Sequence, residues 1–357
     1  MREATRSGPV GIRQIADALG ISIGTVDRAL HGRSGVSART RERVLKLAQK
    51  LNYTPNLAAR TLKLNRQIRI GVFLPQRIAS FYDELREGIR AAAAHAAHGS
   101  TADLVFHSYP RLGEGDIELL ESSNWRQFDG ILLAPGNPAR VADFSRAAEA
   151  ESKALVYVTT DAPRTHRLSS IAIEGTVSGG IAAELLGQVI GGPVPVAAIT
   201  GDLRIQDHAE KLRGFAASLA TLSPHLHLLS AIESHESPED AHAATLELLN
   251  THPNLGGIYI STANSLPVMR AIEESGRLGK IRVITTDLFP EIVSAIESGH
   301  VFASLYQRPF TQGRMAFELL NRYLITGAQP ERVIRLNPHI VLRSNLSLFA
   351  SPARARS

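Results

Sequence analysis

Apolar positions recur every three or four residues through IRQIADALGISIGTVDRAL, residues 12–30. Ile15, Ala16 and Leu19 fall on one face of a first helix, and Val26 and Ala29 on one face of a second. Gly20 lies between them, where a left-handed residue lets the chain turn tightly. Ile21 plugs the corner, and Ser22 can cap the second helix by accepting a backbone N–H. The pattern predicts a helix-turn-helix. Residues 37–52 continue the helical period, with Ser37 as cap and Val44, Leu47, Ala48 and Leu51 as the buried stripe. Pro55 then breaks the helix, Asn56 offers a new cap, and LAARTLK (57–63) is too short to hold a helix unaided.

From residue 68 the period changes. Short apolar runs (IRIGVFLP, DLVFHSY, DGILLAP, ALVYVTT) alternate with helical stretches, which predicts parallel strands wrapped by helices. A second set follows: SSIAIEG, PVAAITGD, HLHLLSAIES, GGIYIST, IRVITTDL and FASLYQRP. The expected fold is a small all-α head followed by an α/β body of two doubly wound parallel-sheet lobes. The expected boundaries are 10–53 for the head, 54–67 for a hinge helix and linker, 68–345 for the body and 346–357 for a polar tail. That tail shows no heptad repeat for a tetramerising coil. In doubly wound sheets ligands bind beyond the C-terminal strand ends. Asp161, Asp202, Asn264, Asp287 and Gln307 stand at such ends.

Charge sharpens this picture. Residues 1–66 hold 13 lysines and arginines against four acids, whereas the remainder holds 26 against 30. A basic head on a mildly acidic body is the footprint of one end meeting phosphate. There is no cysteine, which removes disulfides, thiolate metal sites and cysteine nucleophiles. The first residues lack an apolar signal core, and no run approaches the ~18 apolar residues of a membrane span. A cytoplasmic protein without membrane contact is the expectation.

The second helix of the motif would lie in the major groove, with Ser22, Ile23, Gly24, Thr25, Asp27 and Arg28 near DNA. Two readings of Arg28 stand: a bidentate bond to guanine O6/N7, or a phosphate contact. Ile23 can touch a thymine methyl, Gly24 only permits close approach, and Thr25 suits a phosphate.

These residues resemble the LacI/GalR family of transcription regulators, from IRQIADALGIS through GTVDRALHGRSGVSARTRERVLKLAQKLNYTPN to AARTLK, and on into the body. The resemblance implies a homodimer on double-stranded operator DNA. It implies that Asn56, Arg60, Leu62 and Lys63 belong to a hinge helix, and that Leu62 wedges into the minor groove and kinks the duplex. It further implies a body similar to type I periplasmic sugar-binding proteins, with three crossings between lobes and an effector in the cleft. Phe81 and Tyr82 would stack on that effector. Lys211 stands where an effector-clamping arginine is usual, Asp287 matches a strand-end aspartate, and Gln307 matches the glutamine of a QxP segment. Asn264 lies near the usual Asn-Asp pair, without its aspartate. The chain departs from the pattern at Gly24 and at Asp27, where the usual serine is replaced. Asp27 either orients Arg28, accepts from cytosine N4, or faces away.

Each cleft residue has a plainer alternative. Asp161 and Asp202 can cap helices, and Phe81 and Tyr82 can be core. No nucleophile elbow, phosphate-cradling glycine loop or zinc-binding helix motif is present, and the histidines are scattered, so neither an enzyme nor a metal or cofactor site is expected. The expected function is a sequence-specific transcription regulator, by family default a repressor, controlled by a sugar-like effector. The alternative is a constitutive DNA binder with a vestigial cleft.

Overall fold

The computed structural model describes residues 12–30, 35–51, 67–96 and 102–349. Three helices form the head: α1 (Ile12–Leu19), α2 (Ile23–Leu30) and α3 (Ala38–Lys50). They close on a core of Ile15, Ala16, Val26, Ala29, Val44 and Ala48. Gly20 takes φ +63°, Ile21 N–H donates to the Ala16 carbonyl at 3.1 Å, and Ser22 Oγ accepts Thr25 N–H at 3.1 Å. Ser37 caps α3 through Thr40 N–H. The turn and caps therefore satisfy backbone groups that a three-residue link would otherwise leave open.

Two sheets build the body. The first has strand order β12-β5-β4-β3-β1-β2, and its members are Val333–Leu336, Ser169–Ile173, Ala154–Val158, Gly130–Leu133, Ile68–Pro75 and Ala102–Tyr109. The second has order β13-β11-β10-β9-β6-β7, from His339–Val341, Ala303–Tyr306, Arg282–Thr286, Gly257–Ile260, Pro195–Thr200 and His227–Leu228, with β8 (Ile232–Glu233) also on β6. All pairings are parallel except β11 with β13. Apolar clusters cover both faces of each sheet, which is why runs such as GILL and ALVYV are apolar without alternation.

The helices of the body are α4 (Ala79–Ala96), α5 (Asp116–Ser122), α6 (Pro138–Ala150), α7 (Gly175–Val189), α8 (Gln206–Leu222), α9 (Pro238–Thr251), α10 (Ser265–Glu274), α11 (Pro290–Glu297) and α12 (Pro309–Thr326). The chain passes between the lobes at 174, at 307–308 and at 337–338.

Two expectations are corrected. SSIAIEG does not open the second lobe; as β5 it pairs with β4 and β12 in the first. The crossing follows β5, and nothing in a parallel βαβ rhythm marks where the chain changes sheets. HLHLLSAIES is not one strand. Leu228 pairs with Val196 and Ile232 with Ile199, so four steps on one strand match three on the other. The extra residue interrupts the ladder as a bulge does.

Helix α7 lies so close on α8 that a Cβ on Gly214 would overlap the Thr176 carbonyl oxygen. Gly214→Ala gains about 1 kcal/mol of helix propensity, but against backbone it has nowhere to go. A net loss of about 1–3 kcal/mol is expected, read as a lowered urea midpoint of the full chain. An unchanged midpoint would show that the helices part freely.

Candidate functional site

On the head, α2 carries the residues expected at DNA. Ser22, Ile23, Gly24 and Arg28 are exposed, and Thr25 and Asp27 are half-buried. Ile23 is 46% exposed at the start of the helix, apolar surface that no core residue covers. Arg28 Nη2 reaches Thr25 Oγ1 at 3.5 Å, a long bond that leaves most of the guanidinium facing solvent. Asn56, Arg60, Leu62 and Lys63 lie outside the described residues.

The body holds a cleft between its lobes. The space is about 490 Å³, counting its open mouth. Helix α4 starts shortly after β1, with Ile78 at φ +58° receiving Phe81 and Tyr82 N–H, and both residues border the cleft while belonging to the buried apolar cluster of the first lobe. The rings meet edge-on with centroids 5.0 Å apart. Opposite them, α8 supplies Asp207, His208 and Lys211, and the strand ends supply Glu236, Thr262 and Gln307. Three contacts join the lobes around this space. Asp207 N–H donates to Thr160 Oγ1 at 3.2 Å, Tyr306 O–H to Glu84 Oε2 at 2.7 Å, and Arg335 stands 3.7 Å from Glu210.

Lys211 is 1% exposed and spends all three N–H bonds inside the protein. They reach Asp207 Oδ2 at 2.7 Å, Gln307 Oε1 at 2.8 Å and the Ser261 carbonyl at 3.3 Å. Burial, the largest single influence, would lower its pKa, but Asp207, Tyr259 and Asp287 together outweigh it and raise the pKa, so the ammonium stays charged.

The matching families agree with both halves. Residues 11–56 match the model for bacterial regulatory proteins of the lacI family, and residues 70–329 match a periplasmic binding protein domain. The chain belongs to the LacI family. It is 22% identical over 347 residues to catabolite control protein A of Priestia megaterium, covering 94% of this chain and 99% of that one. It is 24% identical to the ribose operon repressor of Haemophilus influenzae, covering 94% and 98%. Among solved structures, GanP, a glucose-galactose binding protein from Geobacillus stearothermophilus, superposes with TM-score 0.73 at 21% identity, covering 79% of this chain and all of that one. That likeness establishes the fold of the body. Family membership makes the protein a DNA-binding transcription regulator with a small-molecule effector domain. Among the described residues no helix is long and apolar enough to cross a membrane.

In this LacI-family regulator the expected effector residues separate into two groups. Phe81, Tyr82, Lys211 and Gln307 line the cleft. Three others do not line this central space. Asp161 is buried in an ion pair, its Oδ2 2.6 Å from Arg167, which fastens the loop after β4. Asp287 stands behind Gln307, accepting its N–H at 2.9 Å and its Nε2–H at 2.5 Å. Asn264 faces an adjoining space shared with Arg77, Glu236 and Phe289, and its Nδ2 is buried without a partner among the described residues. Asp202, Glu233 and His235 cluster within 4.8 Å, but Arg204 engages both Asp202 oxygens and Leu203 N–H occupies Glu233.

Cleft residues that the sequence reading missed include Arg77, Arg111, Asp207, His208, Glu236 and Thr262. Only Asp207 had a signal, its i,i+4 spacing from Lys211. Glu236 follows β8 at φ +56°, a left-handed conformation that costs a non-glycine residue energy and turns its carboxylate inward. It accepts from Thr262 Oγ1 at 2.9 and 3.1 Å and lies 2.9 Å from His208 Nε2. Burial, the largest single influence, would raise the Glu236 carboxyl; His208, Thr262 and Lys211 together outweigh it and hold the group below the usual range.

Burial pushes the Asp287 carboxyl up to about 7, against the two Gln307 bonds that favour its charge. Between pH ~4 and ~7 the folded protein therefore holds a proton that the unfolded chain has released. The stabilisation from Asp287 is present in full below pH ~4 and is lost as pH rises through ~7. Asp287→Asn should flatten this dependence, so the stability gap between wild type and variant changes by on the order of 2–4 kcal/mol across the window. Urea titrations at pH 4.5 and 8 measure it. Parallel pH profiles for the two proteins would place the titration elsewhere.

Proposed function

We propose that the protein is a cytoplasmic homodimer whose two heads read the half-sites of a near-palindromic operator through α2, as a repressor whose grip is set by a polyol-type effector, a sugar or sugar derivative, in the cleft. Two-fold symmetry in the protein calls for two-fold symmetry in the site. The head would span 10–53, the hinge 54–67 and the effector body 68–345, with Leu62 of each copy at the operator centre. Ser22, Ile23, Gly24, Thr25, Asp27 and Arg28 carry base and phosphate contact in this reading.

The observation that carries the effector class is the opposition of the Phe81–Tyr82 rings to a wall of carboxylate and amide oxygens. A sugar ring offers an apolar C–H face to the first and hydroxyls to the second. The relatives point the same way, since one is named for ribose and a neighbour in fold for glucose and galactose. The effector acts only through its different affinity for the DNA-competent and DNA-incompetent arrangements.

The test selects genomic duplexes bound by the purified full chain at physiological salt, then titrates aldoses, alditols and sugar derivatives against the selected operator. A sugar that binds stoichiometrically and changes operator affinity supports the proposal. Tight operator binding with calorimetric silence across the panel would instead favour a constitutive binder.

A further inference from the structure

We propose that the effector is an acidic polyol, with its hydroxyls on the floor of the cleft and a carboxylate or phosphate group at the mouth, between Arg77 and Arg111. The proposal rests on the polyol reading above and adds a charge to it.

The floor asks for hydrogen-bond donors. Lys211 has none to spare, because its three N–H groups are engaged. Asp207 Oδ1 is buried with no hydrogen-bond partner among the described residues. A buried acceptor left open costs roughly 1–3 kcal/mol, and a ligand hydroxyl reaching it removes that cost. Glu236 adds two more acceptor oxygens, fixed by Thr262 and His208 but not saturated by them. A phosphate or carboxylate seated on this floor would face two carboxylates.

The mouth has the opposite chemistry. Strands β1 and β2 pair in register to Pro75↔Tyr109. The pairing continues beyond them, with Gln76 N–H on the Tyr109 carbonyl at 2.8 Å and Arg77 N–H on the Pro110 carbonyl at 3.1 Å. Arg77 and Arg111 thus leave adjacent strand ends, and both line the cleft. Glu114 takes one edge of Arg111, bonding Nε at 2.6 Å and Nη2 at 2.5 Å. The Arg77 side chain is exposed and makes no hydrogen bond among the described residues; Glu236 and Glu291 border an adjoining space with it, and neither is bonded to it. Two arginines on neighbouring backbone positions, with one carboxylate bonded to Arg111, leave a positive excess at the mouth, while the negative groups Asp207 and Glu236 lie on the floor. A neutral sugar leaves that excess uncompensated. An oxyanion on the ligand makes charge-assisted bonds with the free Nη1 edge of Arg111 and the fork of Arg77.

Calorimetry on the full chain with matched ligands tests this: glucose against glucuronate and glucose 6-phosphate, and galactose against galacturonate. The expected result is an acidic member binding about 10- to 100-fold tighter than its neutral parent, with the uronate and phosphate arms naming the oxyanion. In the double variant Arg77→Gln/Arg111→Gln the ratio should fall to within about 3-fold of unity. Neutral sugars binding as tightly as their acids, at a ratio the variant does not move, would overturn the inference and leave the polyol reading standing. If no sugar of either kind bound, both would fall together.

Discussion

Lys211→Met should abolish the response to effector and destabilise the body by about 3–5 kcal/mol. Lys211 ties together three elements around the cleft. Its ammonium joins Asp207 on its own helix, Gln307 at a lobe crossing and the Ser261 carbonyl at the end of β9. Methionine fills similar volume but donates nothing. Asp207 Oδ2 then stays buried beside no cation, Gln307 Oε1 loses its donor, and the crossing at 307–308 is released. Removing one partner of a buried ion pair costs far more than removing both. Lys211→Met/Asp207→Asn should therefore recover most of the lost stability, while effector binding stays lost because the floor has lost its carboxylate. Thermal unfolding and calorimetry on the two variants separate these effects. A Lys211→Met protein that melts and binds like wild type would remove Lys211 from its place at the centre of the cleft.

How far the residues alone reach depends on the range of the interaction. The head was legible because its signals are local: a face at helical spacing, a glycine at the turn and a serine at the cap all lie within 19 residues, and the buried set of Ile15, Ala16, Val26 and Ala29 is the expected one. The strands were legible because burial on both faces makes them uniformly apolar. Which sheet a strand joins is a long-range matter, and β5 was assigned to the wrong one. Cleft residues show the same division. Gln307 was recognisable from its motif and position. Asp161 looked equally suitable, but Arg167 six residues later claims it, and nothing in a strand-end aspartate announces that partner. Glu236 depends on a left-handed backbone and on His208 from another element, so no linear pattern carries it.

The head and the cleft can be uncoupled at a single position. Ala16 is 3% exposed where α1 and α2 cross, and three of the six core residues of the head are alanines. Leucine has no space there, and overpacking costs about 1–3 kcal/mol. A domain of some 40 residues has little stability to lose (~3–5 kcal/mol at most). Ala16→Leu should therefore lower operator affinity at least ~100-fold. The body, with its own sheets and cores, should keep its effector affinity and its melting transition. The variant also exposes the coupling itself. If effector weakens operator binding in wild type, operator must weaken effector binding by the same factor. Calorimetry with and without operator duplex should show that shift in wild type and none in Ala16→Leu, and its sign distinguishes inducer from corepressor. Equal effector affinity with and without saturating operator in wild type would mean that the two sites do not communicate, however well each of them binds.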